Sequence, residues 1–210
     1  MRNPDNFGFV YRHLALALLC IGMVFLPESL AELLEYKRDA IIGGEWWRLW
    51  SGHFTHFTLM HAFVNCATLL LLTVLLVRVY SWTLILILFI FGPLVISLSL
   101  MSVVHEMAIY RGASALAALF LAMLIVQTIE RAHGISAFML YALIVTWLVK
   151  LSVEAAGGMS LSNLSPSIHV AWQAHVAGIL AGIAVSSGLK WLIKRTEHAD
   201  SVRLTRTLHM

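Results

Sequence analysis

Long apolar runs separated by short polar stretches dominate the chain. A helix needs about 20 mostly apolar residues to cross the hydrocarbon core of a bilayer, and six stretches reach that length or come close to it. They run approximately over 9–26, 59–77, 80–103, 113–129, 135–153 and 169–189. The pattern therefore predicts an all-α integral membrane protein that folds as a bundle of six transmembrane helices.

Two of these stretches carry local signals. The first has the length of a signal-peptide core and follows Arg2 and Arg12, but no small-x-small cleavage site comes after it. We therefore predict a first membrane helix that is retained. The third contains Gly92 and Pro93, which predict a kink that neighbouring helices must accommodate.

Composition supports a membrane protein. The chain is 60% hydrophobic and only 12% charged, whereas a soluble domain is roughly a quarter charged. We expect a single membrane domain over residues 1–210 with its core at about 40–190. The net charge of +3 is small and the basic residues are scattered, which argues against nucleic-acid binding. Cys20 and Cys66 both lie in apolar runs and are expected to be buried thiols rather than a disulfide.

The distribution of Lys and Arg predicts the orientation. The expected cytoplasmic side holds Arg2, Arg12, Arg78 and Arg131, together with the C-terminal Lys190, Lys194, Arg195, Arg203 and Arg206. The opposite side holds Lys37, Arg38, Arg48 and Arg111, most of them in one long loop. We therefore expect a bacterial-type inner membrane protein with a short N-terminus and a basic C-terminal tail in the cytoplasm. The second, fourth and sixth stretches then begin in the same outer leaflet.

Polar side chains lie near the start of each of those three stretches. His61 and Asn65 are four residues apart and share a helix face, Ser114 opens the fourth stretch, and His175 lies within the sixth. Taken singly, a serine usually bonds to its own helix backbone and an asparagine can hold helices together. A lone intramembrane histidine already indicates a functional site. Their common depth predicts that all four meet in one site.

Small residues favour close contact between the fourth and sixth stretches. Such residues let helix backbones approach each other in a membrane, which would bring Ser114 and His175 within hydrogen-bonding distance. The small positions are Ser114, Ala118 and Ala122 in the fourth stretch and Gly178 and Gly182 in the sixth.

These residue types fit nucleophilic catalysis. A serine hydroxyl needs an adjacent base to become a nucleophile, and neutral imidazole is the usual one. Hydrogen-bond donors for the resulting oxyanion could come from His61, the Asn65 amide and the Ser114 backbone N–H. None of the 11 Asp and Glu residues lies inside a predicted span, so the pattern favours a Ser–His dyad without the acidic third member of soluble triads.

The polar motifs together resemble the signature set of rhomboid proteases in their order and spacing, over about residues 40–190. They are Gly44-Glu-Trp-Trp-Arg48, His56, His61-x-x-x-Asn65, Gly112-x-Ser114 and His175-x-x-Gly178-x-x-x-Gly182. The resemblance implies a six-helix core with a water-accessible cavity opening to the outer side. It also implies hydrolysis of peptide bonds in or next to transmembrane segments, without metal or cofactor. The implied partners are transmembrane or C-terminally membrane-anchored proteins and the lipid bilayer.

The resemblance also assigns roles to residues. It implies that Ser114 and His175 form the dyad and that His61 and Asn65 belong to the oxyanion site. It places Trp47 and Arg48 in a loop lying partly in the outer leaflet, which agrees with an interfacial belt formed by neighbouring tryptophans. It gives His56 a loop-structuring role as a hydrogen-bonding residue.

The chain departs from the family pattern at two positions. Ala115 follows the nucleophile where the family usually has glycine, and Ala118 stands where an aromatic residue often stacks on the catalytic histidine. The short chain and the Gly-Glu-Trp-Trp-Arg loop are similar to rhombosortases, a subgroup associated with proteins that carry a C-terminal GlyGly sorting signal.

Two other functions remain open at this point. One is a metal or haem site built from His53, His56 and His61, with His105 as a further ligand, although their spacing does not put them on one helix face. Nearby carboxylates, which complete many such sites, are also sparse. The other is a catalytically weak or inactive rhomboid-like protein that binds membrane clients.

Overall fold

The computed structural model describes residues 27–105, 107–156 and 172–208, five positions from 14 to 25, and side chains up to residue 196. The first predicted span, 9–26, thus lies almost wholly outside the described residues. Two short strands and eight α-helices occur in the described parts. In chain order they are α1 (Glu28–Leu34), β1 (Tyr36–Lys37), α2 (Arg38–Ile42), α3 (Arg48–Ser51), α4 (Leu59–Leu76), α5 (Trp82–Val103), β2 (Ile109–Tyr110), α6 (Ser114–Thr128), α7 (Ile135–Ala155) and α8 (Trp172–Leu208). A 3₁₀ turn, Ile129–Arg131, ends α6.

Five helices of the described residues are long and apolar enough to cross a membrane, namely α4, α5, α6 with its 3₁₀ turn, α7 and the first part of α8. They match the second to sixth predicted spans, so the prediction of an all-α membrane bundle is confirmed. Because α4, α6 and α8 alternate in direction with α5 and α7 along the chain, α4, α6 and α8 begin at one end of the bundle. We call this the site end.

Helix α6 forms the centre of the bundle. Every residue from Ala115 to Met123 is buried, which is expected of a helix that is apolar all round and surrounded by others. Helices α4, α5 and α8 pack around it. The closest contact is with α8, where a Cβ at Gly178 would overlap the Ala115 carbonyl oxygen and one at Gly182 would overlap that of Leu119. Glycine at both positions therefore lets the two backbones touch.

Helix α5 continues through Pro93. Proline has no N–H, so the carbonyl four residues earlier, that of Phe89, loses its helical donor. The indole N–H of Trp50 in α3 donates to this oxygen at 3.2 Å. A side chain of the short helix α3 thus replaces the hydrogen bond that Pro93 removes from α5.

The segment before α4 is held together at the C-terminal end of α1. The last four carbonyls of a helix have no intrahelical donor, and here side chains of α3 and of Trp47 just before it supply all four. Arg48 donates to the carbonyls of Glu32 and Glu35, Trp47 to that of Leu33 and Ser51 to that of Leu34. The Trp-Arg motif therefore has a defined structural task, which is to cap α1.

Strands β1 and β2 pair antiparallel, with Tyr36 opposite Tyr110. This pairing attaches the α1–α3 segment to the chain just before α6. Gly52 packs so closely on Tyr36 that a Cβ would overlap its backbone, and the Gly52 carbonyl accepts from the N–H of Gly112 at 3.0 Å. The β1–β2 pairing and the hydrogen bond of Gly112 to Gly52 therefore both hold the segment that leads into Ser114.

Candidate active site

Ser114 and His175 meet where α6 and α8 touch at the site end. Ser114 is the first residue of α6 and His175 lies in the first turn of α8. The Ser114 Oγ is 2.8 Å from His175 Nε2, and His175 is buried. Gly178 lies one turn beyond His175 and lets the helices approach closely enough for this hydrogen bond. The structure thus brings together the serine and the imidazole that the sequence singles out.

The other nitrogen of His175 contacts a carboxylate. His175 Nδ1 is 2.9 Å from Glu154 Oε2, and both side chains are buried. The prediction of a dyad considered acidic residues inside the predicted spans, and it therefore left out Glu154. Helix α7 runs to Ala155, two residues beyond the predicted end of the fifth span, and its last turn carries Glu154 onto the imidazole.

The contact with Glu154 defines the protonation pattern of a neutral His175. An ionised carboxylate only accepts hydrogen bonds, so the 2.9 Å contact with Glu154 requires a protonated Nδ1 that acts as the donor. Lys150 Nζ lies farther from Nδ1, at 3.5 Å. Nε2 is then an acceptor and faces the Ser114 hydroxyl, which donates to it. This is the tautomer that a general base toward Ser114 requires.

Two more side chains of α7 complete this cluster. Lys150 Nζ is 2.5 Å from Glu154 Oε1 and lies 5.0 Å from the centre of the Trp147 ring. The Trp147 ring meets the His175 ring edge-on, with centroids 6.0 Å apart. An aromatic contact on the histidine thus comes from α7, whereas Ala118 of α6 is buried and offers only a methyl group.

Sequence reasoning missed Glu154, Lys150 and Trp147 as site residues. A signal was present, because Lys150 and Glu154 stand four residues apart near the end of an otherwise apolar span. That spacing allows an ion pair on one helix face. Trp147 lies one further turn back on the same face.

His61 and Asn65 lie against the segment that precedes Ser114. A Cβ at Gly112 would stand 2.8 Å from His61 Cε1 and 3.1 Å from Asn65 Nδ2. Gly112 also has φ +129°, a conformation that strongly favours glycine. His61 Nδ1 and Asn65 Nδ2 make no hydrogen bond with the described part of the chain, so the Asn65 amide keeps a free donor close to the start of α6.

The N-terminus of α6 supplies further donors. Its first intrahelical bond runs from Ala117 N–H to Ala113 O, so the preceding N–H groups, including that of Ser114, have no helical partner. The positive end of the helix dipole points the same way. Anionic charge next to Ser114 would meet backbone donors from α6 and side-chain donors from α4.

Charged and phenolic groups hold the Gly112 segment. Arg111 is buried and pairs with Glu35 and Glu28, each at 2.8 Å. Burial works to lower the pKa of Arg111, but the hydrogen bonds and charges of Glu28 and Glu35 outweigh it and raise that pKa. The Tyr110 hydroxyl donates to the Gly112 carbonyl, and burial raises the pKa of Tyr110 to about 12. The phenol therefore stays neutral at physiological pH.

The loop histidines occupy separate positions. His53 Nε2 is 2.9 Å from Ser97 Oγ, and His105 lies beside Arg38. His56 meets the His61 ring edge-on at 5.1 Å, but neither of its ring nitrogens makes a hydrogen bond with the described residues, so the expected hydrogen-bonding role is not seen. Burial lowers the pKa of both His53 and His56 to about 3. Within the part of the chain that the structure describes, no three His, Cys, Asp or Glu side chains converge as metal ligands would. The contacts thus do not favour the metal-site alternative.

Comparison with protein families identifies the fold. The family model of the Rhomboid domain matches residues 43–191, from just before α3 into α8. The chain therefore belongs to the rhomboid family, a family of intramembrane serine proteases. No curated protein sequence matches it.

Proposed function

We propose that this protein is an active intramembrane serine endopeptidase in which Ser114 is the nucleophile and His175 the general base. The observation that carries the proposal is the 2.8 Å hydrogen bond between Ser114 Oγ and His175 Nε2. A back-bonding serine would point its hydroxyl at its own helix, as Thr73 and Ser152 do in theirs. Ser114 instead faces an imidazole.

The reaction begins with attack of Ser114 Oγ on the carbonyl carbon of the scissile peptide bond. As the new C–O bond forms, the hydroxyl proton passes to His175 Nε2. The tetrahedral oxyanion receives hydrogen bonds from Asn65, His61 and the Ser114 backbone N–H. The C–N bond then breaks, and the proton on Nε2 goes to the leaving amine. Water then attacks the acyl carbon while the same nitrogen takes its proton. The bond from that carbon to Ser114 Oγ breaks, the carboxylic acid leaves, and the proton returns from Nε2 to Oγ.

The substrates in this proposal are transmembrane or C-terminally membrane-anchored proteins, cut in or next to the membrane segment, and proteins with a C-terminal GlyGly signal are the more specific expectation. The whole of residues 1–210 would form one membrane domain in a bacterial-type inner membrane, with both termini cytoplasmic and the site end outward. Exposed Trp46 and Trp47 near the site end support a position of this loop at the membrane interface.

A fluorophosphonate probe tests the nucleophile directly. We expect purified wild-type protein to be labelled, Ser114→Ala to be unlabelled and inactive, and His175→Ala to be nearly as impaired, because such residues act as a unit. Ser152→Ala is the matched control, since that hydroxyl is exposed on α7 and bonds to the Leu148 carbonyl.

Cleavage that persists in Ser114→Ala membranes would refute the proposal. Folded wild-type protein that is neither labelled nor able to cut any membrane-anchored reporter would favour the inactive, client-binding alternative.

A further inference from the structure

Helix α7 buries a charged residue instead of an apolar one. Among the described residues of α7 and its neighbours, Glu154 is the one α7 position that is buried, while the rest of the helix is exposed or half-covered. The exposed apolar side chains of a helix that is long enough to cross a membrane are suited to face lipid. Packing alone would put an aliphatic side chain at the buried position, so the carboxylate calls for another explanation.

Each carboxylate oxygen of Glu154 has a partner. One carboxylate oxygen accepts from Lys150 and the other from His175. Burying an ionised carboxylate is unfavourable unless it is paired and hydrogen-bonded. Here the pairing cation comes from the same helix and the second partner from α8. The second bond connects α7 to α8 and ends on the imidazole that contacts Ser114. Lys150 Nζ approaches the same ring nitrogen less closely, at 3.5 Å.

We propose that Glu154 is the positioning residue of His175, so that the site is a Ser114–His175–Glu154 triad rather than a dyad. This inference rests on the proposed protease function. The carboxylate holds the Nδ1 proton and thereby directs the lone pair of Nε2 at the Ser114 hydroxyl. When Nε2 takes the serine proton, the imidazolium keeps both protons and Glu154 remains ionised, as the acid of a soluble triad does.

Lys150 and Trp147 support that role. The Lys150 ammonium neutralises the carboxylate and lies over the Trp147 ring, which in turn packs edge-on against His175. The imidazole is thus restrained at Nδ1 by Glu154 and along its edge by Trp147. Because both groups stand on α7, the base is complete only while α7 is docked on α8.

Kinetics of carboxylate variants test the proposal. We expect Glu154→Gln to lower kcat by about 10²-fold or more, toward the ~10⁴-fold that the equivalent change costs in a soluble serine protease, with KM little changed. Glu154→Asp keeps the charge and should recover part of that loss. Glu130→Gln is the control, because this carboxylate is exposed and pairs with Lys190 at the far end of the bundle.

A spectroscopic readout separates positioning from docking of α7. In ¹⁵N-histidine-labelled protein, the wild-type His175 should show a protonated Nδ1 and an unprotonated Nε2, and His175→Gln assigns these signals. Glu154→Gln should lose this single tautomer, because an amide can present either its oxygen or its N–H₂ to the ring. The measurement needs no activity and is made on protein whose folding is checked by thermal unfolding.

The outcomes distinguish this inference from the proposed function. If Ser114→Ala is inactive while Glu154→Gln keeps kcat within about three-fold of wild type, the protease proposal stands and the triad is refuted. Equal losses in Glu154→Gln and Glu154→Asp with an unchanged His175 tautomer would make Glu154 a docking residue only, which also overturns the inference. Should Glu154→Gln fail to fold, the tautomer and kcat of Glu154→Asp decide.

Discussion

At the scale of single residues, the contact between α6 and α8 rests on the missing side chain of Gly178. A methyl group there would overlap the Ala115 carbonyl oxygen, and overpacking of this kind typically costs about 1–3 kcal/mol. We expect Gly178→Ala to push the helices apart, lower the thermal unfolding temperature, and reduce turnover because Ser114 and His175 separate.

The matched control for that change is Gly188→Ala on the same helix. A Cβ at Gly188 would meet no atom within 4 Å, and alanine is a better helix former than glycine by roughly 1 kcal/mol. Gly188→Ala should therefore retain activity and be as stable as wild type or more so. Full activity in Gly178→Ala would contradict the argument for close contact.

The oxyanion donors can be tested by comparing turnover with stability. Removing one such donor typically costs about 10²–10³ in kcat, whereas an interhelical hydrogen bond in a membrane is worth about 0.6 kcal/mol of stability. We expect His61→Ala and Asn65→Ala to lower kcat much more than they raise KM, in detergent and in liposomes. Val64→Ala, exposed on the same helix, is the control. Normal kcat with lowered stability in both variants would make these residues helix contacts only.

Buried His53 predicts a dependence of stability on pH. Its pKa is lowered from 6.5 to about 3 by burial, so the unfolded chain takes up a proton before the folded chain does. The stabilisation is complete above pH 6.5 and falls by about 1.4 kcal/mol per pH unit between 6.5 and 3. Thermal unfolding between pH 7 and 4 should show a shallower decline in His53→Gln than in wild type, and parallel declines would refute the assignment.

At the scale of elements, α3 stabilises α1 through Arg48. Its guanidinium is buried and reaches the Glu32 and Glu35 carbonyls together with the Glu45 carboxylate. A lysine is a point charge without the planar fork, and a buried acceptor left unsatisfied costs about 1–3 kcal/mol. We expect Arg48→Lys to lower the unfolding temperature clearly, whereas exposed Arg131→Lys should not. Equal unfolding temperatures in Arg48→Lys and wild type would show that the Arg48 cap does not stabilise the protein.

The membrane helices were the most predictable elements. Apolar length fixes where a chain can cross lipid, so α4 to α7 begin and end within two residues of the predicted limits. The sixth span was predicted to end at 189 while α8 continues to Leu208, because hydrophobicity reports the edge of the bilayer and not the end of a helix. The short α1, α2 and α3 and the β1–β2 pair have no periodic signal of their own, since long-range contacts such as Arg48 with α1 form them.

Part of the site was also predictable from the apolar runs. Ser114 and His175 stand out because polar groups are unusual within apolar runs, and Gly178 indicates where α6 and α8 approach each other. Glu154 stands one residue beyond the predicted fifth span, at the polar edge where a charged residue is ordinary. Only the placement of α7 beside α8 reveals that this carboxylate points inward.

At the scale of the whole molecule, hydrogen bonds attach α8 to the bundle near both of its membrane ends. The cluster around His175 holds it at the site end. At the opposite end Ser186 bonds to Tyr80 at 2.7 Å, and Lys190 donates to the Val126 carbonyl. Helix α7, by contrast, covers little of the bundle within the described residues. The completeness of the proposed triad therefore depends on the most loosely packed of the five described membrane helices.

The orientation of the whole chain in the membrane can be tested with single cysteines. Ala156 is exposed after α7 at the site end, whereas exposed His133 and Arg195 lie at the opposite end. With Cys20 and Cys66 replaced by alanine, we expect an impermeant thiol reagent to label Ala156→Cys in intact cells. His133→Cys and Arg195→Cys should react only after permeabilisation, because the basic residues of that end favour the cytoplasm. The retained activity of each cysteine variant is the control for correct insertion. The reverse labelling pattern would place the Ser114 site on the cytoplasmic side and refute cleavage from the outer face.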